Sequence, residues 1–148
     1  MGYSNYWRRP TELDAETFAK AIVDCRKICD TTAIPLGDWE GKGEPIFNTD
    51  LVAFNGKGVH RCESFIVRRL IVPERWQTPD KRGRYCEGCK TNLHLYDLYL
   101  KCCLIIFKYH FGDDFQINCD GEKVDWIFAR IHCQTILGYG VSIEVEEW

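Results

Sequence analysis

Between Cys86 and Gly121 the chain concentrates side chains able to do chemistry: Cys86, Cys89, Lys90, Thr91, His94, Asp97, His110 and Asp120. Cys86 and Cys89 form a Cys-x-x-Cys pair around a glycine, and His94 follows five residues later. Zinc takes four deprotonated Cys or His ligands in a tetrahedron, so Cys86, Cys89 and His94 are the metal ligands to test. A second such pair is missing, and a fourth ligand would have to come from Cys62, Cys119 or His60. The expectation is therefore no cofactor, with zinc as the alternative. Cys89 also has a nucleophile's setting. It lies next to Lys90 and just before a helix start, and both favour thiolate. His110 would be its base, with Asp97 or Asp120 orienting the ring. An intervening helix, at 1.5 Å per residue, puts His110 ~20 Å from Cys89 and argues against that dyad.

Carboxylates offer a different route. Glu63, Asp97, Asp114 and Asp120 could supply a general acid and base, although no spacing singles out a pair. An enzyme built here, a small hydrolase or transferase, would use Lys90, Asp97, His110 and Asp120. A binding site needs less. Lys90 and Thr91 precede a helix whose N-terminal amides attract phosphate. Tyr6, Trp7 or Trp76 could stack on a base, and Arg8, Arg82 and Arg84 supply charge. There is no glycine-rich phosphate loop. Five Trp and seven Tyr are generous for this length and suit protein interfaces. Trp148, after Glu144, Glu146 and Glu147, is hard to bury in a monomer and points to docking across a homo-oligomer.

These groups must be placed by local elements. Thr11 and Asp14 resemble a capping box, and Phe18, Ala21, Ile22, Cys25, Ile28 and Cys29 recur at helical spacing up to about Thr31. Pro35 stops that helix. Ile46-Phe47 and Leu51–Asn55 predict strands, Asn55-Gly56-Lys57-Gly58 a turn, and Ser64–Val72 the returning strand. Residues 73–92 read as one long, mobile connection carrying a local excess of Arg and Lys. Tyr96–His110 is apolar nearly all round and predicts a buried helix, with Asp97, Lys101 and Lys108 as a thin solvent stripe. Gly112 ends it. Phe115–Cys119 predicts a strand and 122–137 a last helix, with Val124, Ile127, Phe128, Ile131 and Ile136 facing the core. Gly138 ends that helix, and Val141–Val145 alternates like a half-buried strand. The order predicts one α+β domain over 1–148: a mixed or mainly antiparallel sheet of about five strands packed on three helices.

Size and composition agree with that. At 148 residues roughly 68–70% of the unfolded surface can be buried without staples. A formal charge of -3 gives no global attraction to nucleic acid or anionic membrane, which makes nucleic acid an improbable partner. No apolar run approaches the ~20 residues of a membrane span, and the start has no secretory h-region, so the expected location is cytoplasmic. The nine cysteines are odd in number and several fall inside apolar helix patterns, where a reduced thiol acts as a small hydrophobe.

Several phrases recur as an ordered set: Gly2-Tyr3 with Tyr6-Trp7, Gly43-Glu44-Pro45, Phe54-Asn55-Gly56, Glu63-Ser64-Phe65, Cys89-Lys90-Thr91 with Tyr96-Asp97, Lys108-Tyr109-His110 with Gly112-Asp113, Cys119-Asp120-Gly121 and Leu137-Gly138-Tyr139-Gly140. In this the chain resembles a family of small uncharacterised proteins encoded by bacteria and their phages, over nearly its whole length. It departs from the pattern at Ser64, where Thr is expected, and at Tyr109, where His is expected. The resemblance implies a bacterial or phage protein acting in the cytoplasm, the host's if phage-encoded, and brings no activity with it. The expected function is a non-enzymatic binder of an anionic, nucleotide-like small molecule, such as a host signalling nucleotide. Its site would draw on Tyr6, Trp7, Arg8, Asn55, Glu63, Arg84, Lys90, Thr91 and Asp97. The alternatives are the small enzyme above and an inhibitor of another protein.

Overall fold

Alternation along residues 4–9 is real but disguised. Asn5, Trp7 and Arg9 point inward and are buried, while Ser4, Tyr6 and Arg8 point outward. Because the inward set includes Asn and Arg, hydropathy does not reveal the strand. In the computed structural model, which describes residues 2–148, this strand β1 (Ser4–Arg9) is the centre of a three-stranded antiparallel sheet. Its neighbours are β6 (Tyr85–Lys90) and β7 (Gln116–Cys119). β6 therefore interrupts the expected 73–92 loop. Since both run antiparallel to β1, β6 and β7 are parallel to each other. The helix α2 (Asp97–Phe111) joins them and covers the inner face of their sheet.

The second sheet is also antiparallel. Its centre is β4 (Leu51–Gly56), buried along its length. β2 (Leu36–Gly37) and β3 (Ile46–Phe47) pair along one edge and β5 (Phe65–Arg68) along the other. The β4–β5 pairing fulfils the expected return, but Asn55 and Gly56 belong to the strand and the reversal comes after them. Arg9 ties the sheets together: its guanidinium, buried behind β1, donates to the Arg68 and Arg69 carbonyls.

Helix α1 (Ala15–Cys29) buries the face its periodicity predicts. Its cap is Asp14 alone, which accepts from the Thr17 amide (3.0 Å) and hydroxyl (2.8 Å). α2 packs between α1 and α3 (Ile127–Leu137), and every residue from Tyr99 to Phe107 is buried. Gly112 (φ 60°) and Gly138 (φ 84°) end α2 and α3 in the positive-φ region that disfavours side chains. The molecule is thus α+β, with three α-helices and seven strands among the described residues.

Three expectations are corrected. Val141–Val145 forms no strand; the segment crosses β7 through side chains, with Glu146 accepting from Lys108 and from the Ile117 amide (3.1 Å). The expected helix over 122–137 begins as a 3-10 turn (Lys123–Trp126) and becomes α3 at Ile127, and it does not bury its apolar stripe: Trp126, Ala129 and Cys133 face inward, and Val124, Ile127, Phe128, Ile131 and Ile136 are exposed. Asp97 and Lys101 do not meet solvent; both are buried.

Candidate functional site

The chain leaves β6 in an abrupt reversal. The Thr91 and Asn92 amides both donate to the Tyr3 carbonyl, and Asn92 and Leu93 then take φ values of 51° and 59°. Left-handed geometry costs a side chain such as leucine about 1–2 kcal/mol. The Leu93 amide turns back to the Thr91 hydroxyl (3.3 Å), and the Asp97 amide donates to the His94 carbonyl (2.9 Å). This delivers Asp97, the first residue of α2, directly beneath β1.

There it organises a buried polar cluster. Asp97 accepts from the Thr91 hydroxyl (2.6 Å) and the Asn5 carboxamide (2.7 Å) on one oxygen, and from the Lys101 ammonium (2.5 Å) on the other. Lys101 is only 2% exposed. Its ammonium lies 4.5 Å from the centre of the Tyr3 ring and 5.3 Å from that of Trp126, so aromatic faces replace part of its hydration. Tyr3 in turn donates to Asp125 (3.0 Å), and burial, reinforced by Cys119 and Asp125, pushes its phenol well up, so it remains a donor. The Asn5 carboxamide oxygen is buried without a hydrogen-bond partner among the described residues.

This cluster is the floor of an opening of ≈250 Å³. Leu93, Leu95, Leu98 and Phe128 form its walls; His94, Asp97, Lys101 and Asp125 supply its polar groups. Leu93, Leu95 and Phe128 are exposed at the rim. Charge within it is two carboxylates against one ammonium that is already paired. The positive pole of α2 is met by Asp97 itself. A larger cavity of ≈400 Å³ lies between the end of α1 and β2–β3, where Arg26 and Lys57 balance Asp30 and Glu44. Among the described residues no comparably buried ion pair underlies it.

Strand alternation divides the residues expected to share one site. Thr91 and Asp97 stand together on the inner side. Tyr6, Arg8 and Lys90 lie on the outer face of the same sheet, where Trp148 folds over Arg8 (4.2 Å to the ring centre) and Tyr6 (6.3 Å between rings). Trp148 thus packs on its own domain. The Tyr6 ring crosses Gly88, where an added Cβ would stand 3.0 Å from it. Trp7 is a core residue: it is buried, packs edge-on against Phe65, and its indole N–H donates to Glu87 (3.0 Å), so it is closed to any ligand. Asn55 is buried and clamps Cys62 through both its backbone groups. Arg84 is buried in a loop staple, donating to Asp80 (2.8 Å) and the Asp113 carbonyl (2.5 Å). Glu63 is exposed and accepts from the Lys90 amide (2.8 Å).

The enzyme constellation does not assemble. Lys90 is across the sheet from Asp97, and Asp120 caps the Ser4 amide (2.8 Å). His110 sits at the far end of α2, bound to Asp24 (2.9 Å) beside Tyr139, which also donates to Asp24 (2.6 Å). Cys86 and Cys89 occupy opposite faces of β6, exposed and buried, so the pair cannot grip one ion with His94. Among the described residues no group of three His, Cys, Asp or Glu side chains is arranged to hold a metal. Burial, followed by the charge of Glu63, pushes the Cys89 thiol well up, which opposes the thiolate its neighbours in sequence promise. No helix among the described residues is long and apolar enough to cross a membrane.

Sequence reasoning missed Asn5, Tyr3, Lys101, Asp125 and Phe128 as parts of the site. The i,i+4 spacing of Asp97 and Lys101 was the available signal: an ion pair within an otherwise apolar helix has no solvent face to occupy. No family model, curated protein or solved structure matches this chain.

Proposed function

We propose that this protein binds a small planar ligand, a nucleobase or nucleoside-like ring, in the opening at the start of α2. The observation that carries this is the buried Asp97–Lys101 pair beneath an opening whose rim is apolar and exposed. The carboxylates of Asp97 and Asp125, with the buried Lys101 ammonium balancing one of them, offer acceptors to the edge of a heterocycle. The leucines Leu93, Leu95 and Leu98 offer faces to pack against. A volume of ≈250 Å³ falls below the ~300–1,000 Å³ of sites that enclose drug-sized ligands, so a ring fits and a whole nucleotide does not. The charge balance favours one orientation. A phosphate pushed against Asp97 and Asp125 would be repelled, so a nucleotide would enter base first and leave its phosphate in solvent.

Thermal unfolding in the presence of nucleobases, nucleosides and their monophosphates tests this. A ligand at 100 times its dissociation constant adds about 2.7 kcal/mol, a rise of several degrees for a domain of this size. The rise should be equal for a nucleoside and its monophosphate, and should vanish in Asp125→Asn and Leu95→Ser, whose exposed side chains leave the apo transition in place. A shift that requires the phosphate refutes base-first entry. No shift with any compound of the series refutes the site.

A further inference from the structure

The apolar stripe of α3 carries a second inference, argued from side chains other than the leucines and carboxylates on which the ligand reading rests. Helical periodicity normally turns such a stripe inward, yet here Ile127 (42%), Ile131 (50%) and above all Phe128 (78%) stand in solvent. With Val124 and Val141 beside them they present on the order of 500 Å² of apolar surface, near the upper end of the ~300–600 Å² largest patch of a monomer. Nothing inside the domain competes for these side chains, because the small residues Ala129 and Cys133 already fill the inner face.

We infer that a second copy of this chain covers this face, each protomer inserting Phe128 into the other. Area is the first argument. A standard interface takes ~800 Å² from each partner, about 65% of it apolar in homodimers, which is ~500 Å². The second is shape. Ile127, Arg130, Ile131 and Val141 enclose a shallow depression of ≈180 Å³ on the same face, room for one aromatic ring. At 100° per residue, Phe128 projects from one flank of the exposed ridge and the depression opens on the other. A twofold axis through the ridge exchanges the flanks, so each knob meets the other protomer's hole, as an isologous contact requires. Charge is the third. α3 contains one Arg and no Lys, Asp or Glu, and that Arg130 spends its guanidinium on the Val141 carbonyl. Along α3 itself a strongly charged partner finds no counter-charge, whereas an identical helix face meets its own lack of charge without cost.

Sedimentation equilibrium of the full chain between 1 and 200 μM tests this. The mass should climb from 17.3 kDa toward twice that value with concentration. Ile131→Glu should raise the dissociation constant at least ~30-fold, the scale of a central hot-spot residue, with an unchanged far-UV spectrum. Thr135→Arg, on the same exposed ridge, provides a second break should Ile131→Glu perturb the fold. A wild-type mass of 17.3 kDa at the highest concentration overturns the inference, as does a dimer that survives both substitutions.

Discussion

Replacing Lys101 with methionine isolates the energetics of the cluster at the start of α2. The change keeps the length and apolar stem of the side chain, which packs between Tyr3 and Trp126, and removes only the ammonium. Asp97 is then a carboxylate 7% exposed with its strongest partner gone. Breaking a buried pair from one side costs about 3–5 kcal/mol, since one charge is left uncompensated. Here the Thr91 hydroxyl and the Asn5 carboxamide still hold one oxygen of Asp97, so the loss should fall at the lower end, about 3 kcal/mol. With a urea slope of about 2 kcal/mol/M, the midpoint drops by ~1.5 M at pH 7. The double variant Lys101→Met with Asp97→Asn removes both charges while keeping an oxygen for Thr91 and Asn5. It should recover at least ~2 kcal/mol relative to the sum of the single losses. A loss under ~1 kcal/mol in Lys101→Met, with no recovery in the double variant, would mean that the pair behaves as a solvated surface contact. The polar floor of the opening would then be solvated, which refutes a desolvated Asp97–Lys101 pair at the site.

The Thr17 amide and hydroxyl hold the Asp14 carboxyl below its usual range, so Asp14 stabilises the fold above pH ~4 and that contribution is lost as pH falls through the lowered value. Asp14→Asn keeps an acceptor for Thr17 but cannot titrate, so its urea midpoint should fall less steeply than wild type between pH 5 and pH 2; parallel curves would refute the role. Leu93→Gly relieves about 1–2 kcal/mol of left-handed strain against ~0.4–1 kcal/mol of added unfolded-chain entropy, so the apo melting temperature should hold or rise. The ligand-induced shift should shrink, since a wall of the opening is lost; an apo temperature lower by several degrees would show Leu93 to be a packing residue.

How far the sequence spoke depended on whether pattern and burial coincide. α1 was legible because Phe18, Ala21, Ile22, Cys25, Ile28 and Cys29 lie on the one face that meets a partner layer. α2 was legible because its middle is apolar on every side and is covered on every side. α3 shows the opposite case. Its periodicity is genuine, but the stripe turns outward, and no single-chain pattern distinguishes a face meant for the core from one meant for another molecule. The strand β1 failed for a related reason. Asn5 and Arg9 are inward-facing polar residues that make sense only once Asp97 and the carbonyls of Arg68 and Arg69 stand opposite them, more than fifty positions away. The site inherits the same limit. Thr91 and Asp97 could be picked from their place before a buried helix. Lys90 adjoins them along the chain and Tyr6 and Arg8 offer stacking and charge, but the two-residue alternation of β1 and β6 carries those three to the far face. Polar residues within a buried pattern are thus the better guide in this chain than charges clustered along it. Lys101, the one lysine inside the apolar run from Tyr99 to Phe107, marks the floor of the opening for that reason.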